Sequence, residues 1–210
     1  MGKPDIIYED NDIIVCYKPA GIATQTRRIG QQDMESFIRN YRAAKNEPPY
    51  VGIVHRLDQP VEGVMVFAKN QKAAASLSRQ IKEHTTEKYY HAASRGHGVS
   101  GADNKEDNHD PAWHTLTDYI SFDKRTNTSK ITSEKDRLAK KAVLQYRILS
   151  NECNKTEFDI KLLTGRHHQI RLQLANIGYP LIGVTKYGKP ASNNSGTGSK
   201  SGRTGGGVRE

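Results

Sequence analysis

The chain has 210 residues, enough for one domain with a sizeable core, and it contains no apolar run long enough to span a membrane. Its 32 Lys and Arg residues against 23 Asp and Glu residues give a formal net charge of +9, which favours polyanion partners but is equally compatible with a merely soluble basic protein. The two cysteines, Cys16 and Cys153, exclude a disulfide framework. We expect both to be small core residues of a protein in a reducing compartment, the cytoplasm.

The first half of the chain predicts strands and two helices. The stretch IIYEDNDIIVCYKPAG predicts two short strands around an Asp-Asn-Asp turn. A helix is expected from about Asp33 to Lys45, since Asp33 can cap it and apolar residues recur at helical spacing. Residues 51–69, VGIVHRLDQPVEGVMVFAK, carry apolar segments on both sides of H-R-L-D, and the second segment predicts a strand buried on both faces. Asn70 is the expected cap of the next helix.

The second half predicts further strands and one late helix. The strand-like segments are TEKYYHAAS, TLTDYISFD, KAVLQYRILS and TEFDIKLL; residues 95–112 predict an exposed loop, and KRTNTSK a polar connection. The segment TGRHHQIRLQLANIG has a helix signature, with Thr164 as a possible N-cap and Gly178 at the C′ position. Residues 189–210 form a Gly/Ser-rich tail that we expect to be disordered, because it has almost no apolar residues to bury.

Two features that could suggest a ligand site are better explained otherwise. The glycine-rich tail lacks the strand and helix that flank a phosphate-binding loop. The histidines that could suggest a metal have no zinc-ligand spacing, and surface positions explain them: His91, His97, His109 and His114. The sequence therefore predicts no metal and no organic cofactor.

Two charged residues far apart in the chain each require a partner. Arg171 lies at the edge of the apolar stripe of the late helix, where a guanidinium needs an anion, although a structural ion pair or a surface arginine is the more ordinary explanation. Asp58 interrupts a buried strand pattern and needs a cation. We therefore predict that Arg171 and Asp58 meet. A structural salt bridge would explain this, but a carboxylate in a basic cleft also suits a nucleophile or general base at a sugar carbon.

Four segments, which follow the family's order along the chain, resemble the RluA-like pseudouridine synthases. GIVHRLDQPVEGVMVFAK resembles their H-R-L-D signature, and IIYEDNDIIVCYKPAGIATQT their opening strands and Lys-Pro-Ala-Gly turn. EKYYHA is similar to a K-x-Y-x-A segment, and LLTGRHHQIRLQLANIGYPLIGVTKYG to a T-G-R-x-H-Q-I-R helix and the segment behind it. The resemblance implies a catalytic domain over residues 1–188, without an S4-type RNA-binding domain. Its fold would be α+β, with a mixed, largely antiparallel sheet and flanking helices.

The resemblance also assigns roles to single residues. Asp58 matches the essential aspartate, which attacks or deprotonates the target uridine, Tyr90 matches the tyrosine that stacks on the base, and Arg171 matches the arginine that pairs with the aspartate. The implied RNA-binding residues are His55, Arg56, Arg166 and His168. The implied activity is isomerisation of uridine to pseudouridine in structured ribosomal or transfer RNA by a monomer. The alternative is a catalytically silent RNA-binding protein on the same fold.

Three departures from the family pattern are visible in the sequence. Val61 and Glu62 replace the usual Thr-Ser before the glycine of the first block, and Glu62 adds a second carboxylate close to Asp58. His167 replaces the usual threonine of the G-R-x-H pattern. After K-Y-G the glycine-rich tail stands where the family continues with a further strand. We expect Glu62 to alter the electrostatics or the RNA contacts of the site, and the altered C-terminus to affect stability and activity.

Overall fold

The computed structural model describes residues 4–26, 28, 30–95, 110–152 and 155–183. The predicted disordered tail at 189–210, most of the predicted loop at 95–112 and Cys153 lie outside the described residues. Among the described helices, none is long and apolar enough to cross a membrane.

The first half of the chain forms a four-stranded antiparallel sheet backed by a helix. Its elements are β1 (Asp5–Glu9), β2 (Ile13–Lys18), helix α1 (Met34–Ala44), β3 (Gly52–Ile53) and β4 (Gly63–Ala68), and the spatial order of the strands is β1-β2-β4-β3. Asp33 and Ser36 form a reciprocal capping box at the start of α1, which confirms the predicted cap. Met34 and Ile38 of α1 pack on the sheet, and the core includes the fully buried Cys16.

The prediction that β4 is buried on both faces was wrong. Met65 and Phe67, on one face of β4, are fully buried. Val64, on the other face, is 61% exposed. Helix α2 (Gln71–Lys82) begins after its predicted cap, Asn70, which accepts a hydrogen bond from the backbone of Ala73. This helix leaves a cavity over the second face of β4 rather than covering it.

The second half forms a five-stranded antiparallel sheet. Its strands are β5 (Tyr89–Arg95), β6 (Asp110–Asp123), β7 (Thr128–Thr132), β8 (Lys140–Glu152) and β9 (Lys155–Leu162), in the spatial order β5-β9-β8-β6-β7. The α+β class is therefore confirmed, with the described strands divided between two sheets. Strand β7 was not predicted, because its polar sequence lacks an alternating apolar pattern; it pairs with β6 at the edge of the sheet.

The late helix α3 (Gln169–Asn176) begins later than predicted. Thr164 is not its N-cap: its hydroxyl accepts a hydrogen bond from the Val143 backbone at 2.8 Å and donates one to Gln169 at 2.8 Å, so it ties the preceding loop to β8. The N-cap position belongs to His168. Gly178 has a φ of 90°, which confirms the predicted glycine after the helix.

Candidate active site

The turn between β3 and β4 carries Asp58 and is fixed to the loop that follows β2. We call residues 54–62 the Asp58 turn. The Thr24 hydroxyl donates to the Leu57 carbonyl at 2.9 Å and accepts from the Leu57 amide at 3.1 Å. The Gln59 side chain donates to the Gly21 carbonyl at 3.0 Å, and the Gly21 amide donates to the Gln59 carbonyl at 2.8 Å. These bonds hold the backbone on both sides of Asp58 in one position.

Beneath the Asp58 turn lies Lys18, which sequence reasoning missed. Its side chain is fully buried and donates to the carbonyls of Ile22 at 2.7 Å, Pro19 at 3.2 Å and Gln59 at 3.3 Å. Burial lowers the pKa of Lys18, while the charges of Asp58 and Glu62 oppose that shift. The signal was available: Lys18 shares the inward face of β2 with Ile14 and Cys16, which the two-residue period of a strand predicts.

Asp58 meets Arg171, as predicted. Arg171 Nη2 lies 3.0 Å from Asp58 Oδ2, and His168 Nε2 lies 3.7 Å from the same oxygen. Nη2 makes no aligned hydrogen bond within the described residues, so the contact is an ion pair. Both basic groups approach the same carboxylate oxygen of Asp58.

The sequence pattern suggested that the carboxylate of Asp58 would be buried, but Asp58 is the more exposed of the two partners. The Asp58 side chain is 39% exposed and the Arg171 side chain 10%. The buried partner is therefore the arginine. This arrangement follows from the elements that carry the two residues: Asp58 lies on a surface turn, whereas Arg171 lies on a helix packed against the second sheet.

Buried amide side chains position α3, and with it Arg171. Gln169 is 2% exposed and donates to the Val143 carbonyl at 3.1 Å and to Gln173 at 2.9 Å. Gln173 is fully buried and donates to Asp118 of β6 at 2.8 Å. Since buried polar groups are costly without partners, this chain of bonds fixes the rotation of α3 on the sheet and the direction of the Arg171 side chain.

Tyr90 lies on β5 next to a cavity of about 310 Å³. Burial, and to a lesser extent the charge of Asp58, raise the pKa of its phenol. Lys88 also borders the cavity, and burial lowers its pKa. The apolar side chains that line the cavity are Leu57, Val64, Val66, Leu77 and Ile81. The arrangement joins an aromatic ring, an apolar floor and a cation beside the turn that carries the carboxylate.

The predicted RNA-binding residues occupy different environments. Arg56 is exposed and donates to Gln25, while Arg166 donates through Nε to the Lys141 carbonyl at 2.9 Å and precedes α3 instead of lying on it. His55 is half-buried, and its Nε2 accepts a hydrogen bond from the Val66 amide at 3.1 Å. This bond gives His55 a structural task in joining the Asp58 turn to β4. The RNA contacts of these residues stay predictions.

Glu62, one of the departures from the family pattern, hydrogen-bonds Tyr17 and raises the pKa of that phenol. Glu62 directly precedes β4, and β4 pairs with the strand of Tyr17, since Tyr17 lies opposite Val64. Glu62 also borders the cavity. The second carboxylate is thus held at the cavity edge by β2.

Stability should depend on pH through His55. Burial, followed by the charge of Lys88, lowers the pKa of His55 in the folded protein, so the unfolded chain takes up the proton at higher pH. The contribution of neutral His55 to the free energy of unfolding should be fully present above the unfolded-state pKa, about 6.5. It should fall as the pH drops from there towards the lowered pKa of the folded protein. Calorimetry between pH 5 and 8 should show this fall in the parent and a flatter curve in His55→Gln. The exposed His91→Gln serves as control; a parent-like slope in His55→Gln would contradict the assignment.

Comparison with known proteins gives consistent matches. A family model described as RNA pseudouridylate synthase matches residues 12–176. The chain is 32% identical over 190 residues to an uncharacterized RNA pseudouridine synthase, YhcT, of Bacillus subtilis, and 33% identical over 193 residues to ribosomal large subunit pseudouridine synthase D of Borreliella burgdorferi. The alignments cover 89% and 88% of this chain but 58% and 54% of those relatives. The chain thus spans little more than half the length of the curated relatives it matches.

Solved structures agree on the fold. Human RNA Pseudouridylate Synthase Domain Containing 1 superposes with a TM-score of 0.67 at 25% identity, covering 89% of this chain and 70% of that one. Human RNA Pseudouridylate Synthase Domain Containing 4 superposes with a TM-score of 0.67 at 22% identity, covering 87% and 68%.

Proposed function

Because the chain belongs to the RNA pseudouridylate synthase family, we propose that it isomerises uridine to pseudouridine in structured RNA, with Asp58 as the catalytic carboxylate. The observation that carries this proposal is the ion pair at 3.0 Å between Arg171 of α3 and Asp58 of the hydrogen-bonded turn. Besides burial, the charge of Asp58 contributes to the raised pKa of Tyr90. In the reaction the N1–C1′ bond breaks, the uracil turns and a C5–C1′ bond forms. The C5 hydrogen is then lost as a proton, and N1 ends protonated.

Asp58 is suited to act on the uridine while its N1–C1′ bond breaks or after it has broken. A carboxylate can attack the nucleoside or remove a proton from it, and both routes require that it remain ionised and directed. Arg171 and His168 approach one carboxylate oxygen, Oδ2, and Lys18 places a third basic group below the turn. We propose that these groups hold the carboxylate in the direction that the reaction needs.

The target nucleotide must leave its stem to reach Asp58. A base extruded from RNA loses its stacking, and an aromatic side chain can replace that interaction. Tyr90 provides the ring, and the neighbouring cavity of about 310 Å³ provides room for a pyrimidine beside it. We therefore assign the stacking role to Tyr90. Arg56, exposed beside Asp58, is placed to contact the RNA from which the base has been withdrawn.

Ribosomal RNA is the substrate that we propose first, with transfer RNA second. Two of the proteins to which the chain is similar carry the name ribosomal large subunit pseudouridine synthase D. The net charge of +9 supports a phosphate-rich partner. A ribosomal substrate would place the protein in the cytoplasm, and we propose that it acts as a monomer.

The direct test follows tritium at C5 of uridine. Purified protein is incubated with ribosomal and transfer RNA transcripts that contain [5-³H]uridine, and tritium released to water is counted. We expect stoichiometric release from one or a few sites without any added cofactor. Tight RNA binding without tritium release from either RNA would instead identify a catalytically silent RNA-binding protein.

Arg166 should contribute to RNA binding through charge. Replacing it with alanine should weaken binding several-fold, and the slope of log K against log salt should become less steep by about 1, as expected for the loss of one phosphate contact. Filter binding at several salt concentrations measures both quantities. Arg39→Ala is the control, since Arg39 is an exposed arginine paired with Glu35 on α1. An unchanged salt slope in Arg166→Ala would remove Arg166 from the interface.

A further inference from the structure

Three side-chain rings are in contact in a row that ends at Asp58. The centroids of the Phe122 ring on β6 and the His167 ring are 4.4 Å apart, with the ring planes tilted by 44°. The centroids of the His167 and His168 rings are 3.7 Å apart, with the planes tilted by 35°. His168 Nε2 in turn lies 3.7 Å from Asp58 Oδ2. We call Phe122, His167 and His168 the ring column. It connects an edge of the second sheet to the proposed catalytic carboxylate.

The middle ring is fixed from the side by β7. Ser129 Oγ lies 2.8 Å from His167 Nδ1, and Ser129 is only 4% exposed. A ring that contacts two other rings and is hydrogen-bonded through Nδ1 has little freedom to rotate. His167 is therefore the fixed element of the column, held by the β6–β7 hairpin.

His168, the ring of the column nearest Asp58, needs support because its backbone has an uncommon conformation. His168 has a φ of 56°, in the left-handed region, at the N-cap position of α3, and its side chain forms no cap hydrogen bond. A non-glycine residue keeps this conformation only when its surroundings impose it, and such residues occur often at functional sites. The His168 side chain is 10% exposed, so contacts with protein, the His167 ring among them, dominate its surroundings.

We propose that His167 is a positioning residue, which holds the His168 imidazole beside Asp58 Oδ2 and so fixes the direction of the carboxylate. This inference rests on the proposed catalytic role of Asp58. Threonine, the usual residue at this position in the resembling family, offers no ring to stack on His168. The chain therefore uses a column of its own to restrain the carboxylate.

Three variants separate stacking from hydrogen bonding. His167→Ala removes the ring, His167→Phe keeps a ring without the Ser129 hydrogen bond, and Ser129→Ala removes that bond alone. Misplacement of a reacting group by a fraction of an ångström lowers rates strongly. We expect the single-turnover rate to fall about tenfold in His167→Ala while the Kd for RNA stays within about twofold, and we expect His167→Phe to recover most of the rate.

A second readout does not depend on activity. In histidine-labelled protein, the ring resonances of His168 should shift in His167→Ala and remain near their parent positions in His167→Phe. Parent-like rates in His167→Ala, or His168 resonances that do not move, would overturn the proposal; so would a loss of RNA affinity equal to the loss of rate. Parent-like turnover by Asp58→Asn would instead refute the role of Asp58, and the resonances would still report on the column. If His167→Ala does not fold, the test uses Ser129→Ala and His167→Phe. The His168 resonances must then stay near their parent positions in both variants. A shift in either variant would reject the ring column.

Discussion

Asp58→Asn should abolish pseudouridine formation, with a loss of at least about 10³-fold, because asparagine can neither attack the nucleoside nor accept the proton as a carboxylate does. Folding should survive. Asparagine keeps the size of the side chain, and its amide oxygen can face Arg171. We expect a stability change of no more than about 1–2 kcal/mol. Tritium release from [5-³H]uridine RNA measures activity, and thermal unfolding measures stability.

Asp12→Asn is the matched control for this experiment. It makes the same substitution at an exposed aspartate in the β1–β2 turn, which accepts a hydrogen bond from Asn70. RNA affinity should be nearly parental in both variants, and only Asp58→Asn should lose turnover. Activity of Asp58→Asn within tenfold of the parent would remove Asp58 from the chemistry.

Arg171→Met should lower activity by about 10²–10³-fold, the usual effect of removing one group that stabilises or directs charge in a site. Its effect on stability should be smaller than for a fully buried ion pair, where losing one partner costs about 3–5 kcal/mol. The reason is that Asp58 is 39% exposed, so water can solvate the carboxylate once the guanidinium is gone. Methionine also fills the space of the arginine stem. Single-turnover rates and denaturant unfolding of the same preparation measure the two effects.

Arg171→Lys separates charge from geometry. Lysine restores the positive charge but not the planar fork of the guanidinium, so we expect partial recovery of the rate. A large loss of stability in Arg171→Met together with parental activity would mean that the Asp58–Arg171 pair only supports the fold.

The central pair was predictable because each member broke a strong local pattern. Asp58 interrupted an apolar strand and Arg171 lay beside an apolar helical stripe, so each implied a partner of opposite charge. The helices at 33–45 and after Asn70 were predictable for a similar reason, since their caps and apolar spacing are local signals. Lys18 could have been found from strand alternation alone.

The remaining features depend on contacts that no local pattern contains. Strand β7 is polar and gains its structure from pairing with β6. The late start of α3 reflects the bonds of Thr164 to β8 and to Gln169, which compete with a cap. The ring column requires β6, β7 and the loop before α3 to meet. The exposure of Val64 likewise depends on how α2 sits over the sheet, and β4 alone does not determine it.

The central claim is that this chain converts uridine to pseudouridine in cellular RNA. Mapping pseudouridine at nucleotide resolution in total RNA, from cells that lack the gene and from the same cells expressing the chain or its Asp58→Asn variant, tests it most directly. We expect at least one site, in ribosomal or transfer RNA, that is modified with the parent chain and unmodified both without it and with Asp58→Asn. An identical pseudouridine map in all three, from cells in which the parent chain is expressed and bound to RNA, would contradict the claim.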